Sequence, residues 1–187
     1  MDGYDDQPAT PPAATGLRHH AIAIALAVLG GGFGIVGAAF QEVRAGGFLL
    51  LPFVGAPIIE ELLKPSGIYI VLWRWPGTLR NRLYTAALTA LSGLSFALIE
   101  AAVYLTLYVP DHPRWFFVYR MSAPVLLHVA ASFLVGLGLS RRLIDWAEDG
   151  GSFPKTTRNF MIAAIVLHAL FNVTTFSLAI AGVLDVE

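Results

Sequence analysis

Two adjacent carboxylates and an amine, Glu60, Glu61 and Lys64, stand inside an apolar run of residues 47–72. An ionisable side chain at membrane depth is costly unless it is paired or hydrated, so such groups mark functional sites by default. Three later apolar runs carry Glu100, His128 and His168, one in each. Carboxylates and imidazoles are the groups that move protons to and from water near neutral pH. An acid–imidazole set of this kind could activate a water for hydrolysis, hold a divalent cation, or relay protons.

Several other chemistries are excluded or weakly supported. The chain has no cysteine, which removes disulfides, thiolate metal sites and a thiol nucleophile. No His-Glu-x-x-His helix motif is present. Every aspartate lies outside the apolar runs, so a transmembrane aspartate dyad is absent. Gly93-Leu94-Ser95 is a weak match to a nucleophilic serine turn, and Ser132 follows His128 by one helical turn. Gly30-Gly31-Gly32-Gly34 lacks the Lys-Ser/Thr of a phosphate loop and suits helix packing better.

Composition places these residues in a membrane. The 187 residues are 56% hydrophobic and 13% charged, against about 45–50% and 25% in soluble domains. The net charge of −1 offers no basic surface for nucleic acid. Residues 1–16, with Asp2, Asp5, Asp6 and several prolines, read as a disordered acidic tail. Residues 17–187 read as one all-α domain, a polytopic membrane bundle of about five spans near 20–40, 47–72, 84–109, 116–140 and 160–183. The stretch 141–158 is expected to be a polar loop. Arg18, Arg74, Arg80, Arg82, Arg141, Arg142, Lys155 and Arg158 fall on one side, which makes that side and the N-terminus cytoplasmic.

Helical spacing then tests convergence. Ser92, Phe96, Glu100 and Tyr104 share one stripe; Arg120, Pro124, His128 and Ser132 another; Ala164, His168 and Asn172 a third. Gly93, Ala97 and Ala101 form a small-residue ridge suited to close helix contact. At about 1.5 Å per residue, the four groups differ in depth by a few turns at most, so one cavity could hold them all. Arg120 is expected near the interface, where it can snorkel. An internal ion pair at Lys64 and singly packed histidines form the structural alternative. A non-catalytic scaffold and an ion-coupled transporter are the functional ones.

Taken in order, Glu60-Glu61-x-x-Lys64, Phe96-x-x-x-Glu100, His128 and His168-x-x-x-Asn172 resemble the motifs of the PrsW intramembrane proteases, related to the CAAX prenyl endopeptidase and bacteriocin-processing group. The resemblance spans about 57–172. One departure is Ala101, where asparagine commonly follows the second-motif glutamate. The resemblance implies a membrane endopeptidase of the prokaryotic cytoplasmic membrane that cuts a membrane-anchored protein or peptide. It implies Glu60 as base toward the attacking water, with Glu100 helping to hold that water and His128 giving acid–base or orienting help. His168 and Asn172 would form an oxyanion hole. Glu61 and Lys64 would brace the first motif, since they cannot both point where Glu60 points. The choice between Glu60 and Glu61 as base stays open. So does the cofactor: none, or a divalent metal such as zinc on Glu60, Glu100, His128 and His168.

Overall fold

The computed structural model describes residues 16–45 and 51–182. The tail expected at 1–16, apart from Gly16, the start of the second span at 47–50 and the last residues, 183–187, lie outside the described residues. Helices run in the order α1 (Leu17–Ala45), α2 (Ala56–Leu63), α3 (Ser66–Arg74), α4 (Arg82–Val103), α5 (Arg114–Arg120), α6 (Ala123–Gly138), α7 (Arg141–Asp149) and α8 (Lys155–Ile180). π-Helical turns at Leu51–Gly55 and Tyr104–Tyr108 lead into α2 and out of α4.

Among the described residues, four stretches are long and apolar enough to cross a bilayer: Leu17–Phe40, Arg82–Tyr108, Arg114–Gly138 and Lys155–Ile180. They agree with the expected first, third, fourth and fifth spans. The expected second span is broken at Lys64 and Pro65. Proline has no N–H and its ring collides with the carbonyl four residues back, so α2 cannot continue. Ile68 N–H turns to the Pro65 carbonyl instead. The Lys64 carbonyl, which a continuous helix would have bonded to that N–H, accepts from the Ser92 hydroxyl. Pro124 acts in the same way on the fourth span, dividing it into α5 and α6.

α1 turns small residues inward. Ala23, Ala27, Gly30, Gly31 and Gly34 are buried, while Leu29, Phe33, Val36 and Phe40 are exposed, as suits a face toward lipid. A Cβ on Gly30 would strike the Lys64 carbonyl, and one on Gly31 the Ser92 carbonyl. The two glycines therefore let α1 touch the α2–α3 break on one side and α4 on the other. Gly93 plays the same part for α6, since a Cβ there would strike the His128 carbonyl. The small ridge read on α4 is thus a true contact face.

These approaches close a ring. α1 packs on α4, α4 on α6, α6 on α8, α8 on α2, and α2 back on α1. The stretch expected as a polar loop holds α7, an amphipathic helix with buried Ile144. Its Glu148 accepts a hydrogen bond from the Trp73 indole at 2.9 Å, which ties it to α3.

Candidate active site in the helix ring

The ring encloses a continuous polar cluster. α2 supplies Glu60 and Glu61 and ends at Lys64. The Pro65 break stops the helix there, so all three side chains point inward and are buried. α4 supplies Glu100, the end of α5 Arg120, α6 His128 and α8 His168. Asn172 lies one turn beyond His168 on α8 and is partly buried.

Lys64 is the hub. Its Nζ lies 2.7 Å from Glu61 Oε1, 2.7 Å from His128 Nδ1 and 3.4 Å from Glu60 Oε2. The ammonium also sits 4.2 Å from the centre of the Phe96 ring. From His128 the chain of contacts continues outward: His128 Nε2 is 3.2 Å from Glu100 Oε2, and Arg120 donates to the same oxygen at 3.0 Å. The Arg120 guanidinium stacks over Tyr104 at 3.7 Å. On the other branch, His168 Nδ1 is 2.8 Å from Glu61 Oε1, and its Nε2 is 3.9 Å from Glu60 Oε2. The two imidazoles meet edge to face, with centroids 4.9 Å apart.

Donor and acceptor rules fix the imidazole tautomers. An ammonium only donates, so His128 Nδ1 accepts from Lys64 and its proton sits on Nε2, facing Glu100. A carboxylate only accepts, so His168 carries its proton on Nδ1 and keeps the Nε2 lone pair free.

Of the residues singled out in the sequence, Glu60, Glu61, Glu100, His128 and His168 are joined in this one network. Two expectations change. Glu61 and Lys64 both point into the cluster with Glu60, with side chains 0% exposed. Adjacent helical positions lie about 100° apart, but a ring of helices presents partners across that arc. Arg120 does not snorkel to the interface. It is buried and paired with Glu100, because the break before Pro124 ends α5 at that depth. The signal for both was in the sequence, since each proline stands four residues after a charged member of the cluster, Glu61 and Arg120.

The serine alternatives fade on geometry. The Ser95 hydroxyl donates to the Val28 carbonyl of α1 at 2.9 Å. Ser132 lies against Gly93 in the α4–α6 contact.

A model of PrsW family intramembrane metalloproteases matches residues 17–186. The chain belongs to that family. It is therefore a peptidase and an integral membrane protein, and the four apolar spans among the described residues agree with the membrane placement. Comparison with curated proteins and with solved structures gave no match.

The family description implies a metal, and the side chains fit one. Glu60, His128 and His168 each offer a donor atom, all within 4.8 Å of one another. Two imidazoles and one carboxylate make a common catalytic zinc set. Two donors to a tetrahedral zinc lie about 3.4 Å apart, close to the 3.9 Å between His168 Nε2 and Glu60 Oε2. Glu60 Oε2 is buried and accepts no hydrogen bond, so it has a lone pair to give. Glu61 on His168 and Glu100 on His128 are the carboxylate partners that orient metal-binding imidazoles. Glu100 itself stands outside the donor triad.

Proposed function

We propose that this PrsW-family protein hydrolyses peptide bonds of membrane-anchored proteins or peptides at the Glu60–His128–His168 cluster. The reading is carried by one observation: Glu60 Oε2, which accepts no hydrogen bond and has the Lys64 ammonium 3.4 Å away, faces the unprotonated His168 Nε2 at 3.9 Å inside the helix ring. A water between them can donate a proton to Glu60 while His168 Nε2 orients it. A carboxylate oxygen with no hydrogen bond to accept, placed beside that water, has the geometry of a general base.

In this tautomer His168 Nε2 carries no proton and cannot serve the oxyanion hole expected of it, which leaves Asn172, one turn away, to donate an amide N–H to the developing oxyanion. Glu61 holds His168 in the tautomer that leaves Nε2 free. Glu100 and Arg120 hold His128, and Lys64 supplies positive charge beside both acids. A divalent cation on Glu60, His128 and His168 would supply Lewis-acid polarisation of the carbonyl and a more acidic water, and Glu60 would then be a ligand in place of the base. The membrane is the prokaryotic cytoplasmic membrane, with the arginine-rich side inward.

The test is cleavage of a membrane-anchored peptide by purified protein in liposomes. Wild type cuts; Glu60→Ala and His168→Ala do not, while both keep the helical circular dichroism of the parent. Cleavage at the wild-type rate by either folded variant would remove the assigned roles. Ion-dependent flux without cleavage products would indicate a transporter.

A further inference from the structure

The donor set contains a cation of its own. Lys64 Nζ bonds His128 Nδ1 at 2.7 Å and lies 3.4 Å from Glu60 Oε2. These are atoms of two of the three residues placed to hold a metal. The side chain is 0% exposed, so the ammonium is fixed among these groups and not merely passing them.

His128 cannot serve a metal while this contact stands. Its Nδ1 lone pair is given to Lys64, and its Nε2 carries the proton facing Glu100. Moving that proton to Nδ1 would set an N–H against an ammonium, which has no lone pair to accept it. Binding along the Nδ1 lone pair is blocked too. An ion about 2.1 Å from Nδ1 would fall within about 1 Å of the lysine nitrogen. His168 differs in this respect, since its Nε2 lone pair is open, and Glu60 Oε2 accepts no hydrogen bond but lies 3.4 Å from the lysine charge. When Lys64 withdraws, His128 is left with Nε2–H on Glu100 and Nδ1 open, which is the arrangement of an oriented metal ligand.

We propose that Lys64 is an internal cation that competes with a divalent metal ion for His128 and Glu60, so that metal uptake requires its ammonium to leave Nδ1. The proposal rests on the cluster being the reacting site and assigns Lys64 as a positioning residue within it. It makes Glu60 and His168 the resting half of a donor set that Lys64 keeps incomplete. Loss of the amine, with its length kept, completes that set.

The experiment is a Co2+ titration of the full chain in detergent, read by visible ligand-field absorption and checked by Zn2+ displacement. Lys64→Met removes the charge and keeps most of the volume. Because that change leaves two buried acids without their cation, Lys64→Met/Glu61→Gln is made alongside it. The second change restores the charge balance, and the amide oxygen still accepts from His168. Each folded variant is expected to bind Co2+ at least tenfold more tightly than wild type, with a tetrahedral-type band. Adding Glu60→Gln should abolish the band. Equal or weaker Co2+ affinity in the folded variants, or a band that survives Glu60→Gln, overturns the proposal. Peptide cleavage that depends on Glu60 while Co2+ affinity ignores Lys64 would sink this competition alone and leave the protease reading standing.

Discussion

Replacing each of the paired glutamates by glutamine separates the base from its support. Both acids are buried beside Lys64, yet their oxygens differ. Glu61 Oε1 is engaged twice, by Lys64 at 2.7 Å and by His168 at 2.8 Å, and its side chain is 0% exposed. Glu60 Oε2 accepts no hydrogen bond, and its side chain keeps 8% exposure. A glutamine at 61 can still accept from both partners through its amide oxygen, so the orientation of His168 survives and only charge is lost. A glutamine at 60 can take no proton. General-base removal typically costs about 100- to 10,000-fold in rate, or about 2.7–5.4 kcal/mol of barrier. Glu60→Gln should fall in that range, and Glu61→Gln should stay within about tenfold of wild type, one hydrogen-bond-sized increment of about 1.4 kcal/mol. The assay is kcat for cleavage of a membrane-anchored peptide in liposomes, with thermal unfolding in detergent as the control for folding. Equal losses in two folded variants would refute the division of roles, and a larger loss at Glu61 would reverse it.

Further outcomes follow from the packing. Ser92→Ala strands the Lys64 carbonyl at the Pro65 break and should cost about 1–3 kcal/mol in detergent unfolding; an unchanged midpoint would show the carbonyl satisfied elsewhere. Gly93→Val drives a side chain into the His128 carbonyl and Ser132, an overpacking cost of about 1–3 kcal/mol. Gly32→Ala, whose new Cβ would meet only Ile99 at 3.9 Å, should stay within about 0.5 kcal/mol in the same measurement. Arg120→Met leaves Glu100 with His128 as its remaining partner. Breaking a fully buried pair costs about 3–5 kcal/mol, and because the Glu100 side chain is 22% exposed the expected loss is smaller, about 2 kcal/mol. Arg120→Met/Glu100→Gln should recover part of that loss; a double variant no more stable than the single one would deny the coupling.

The spans, their polar interruptions and the small-residue faces were legible in the chain because each is a local property. An apolar run of bilayer length needs no partner to be recognised, and a costly charge inside it announces itself by its solvation cost alone. The order of the motifs carried the family in the same way. Tertiary structure decided what each charge meets. Glu61, Lys64 and Arg120 belong to the cluster because Pro65 and Pro124 break their helices beside them, and because α1 and α6 come close enough at Gly30, Gly31 and Gly93 to close the ring. Helical spacing gives the direction of a side chain about its own axis and nothing of the partner across the gap. The tautomers of His128 and His168, and the freedom of Glu60, arise only where five helices from distant parts of the chain meet.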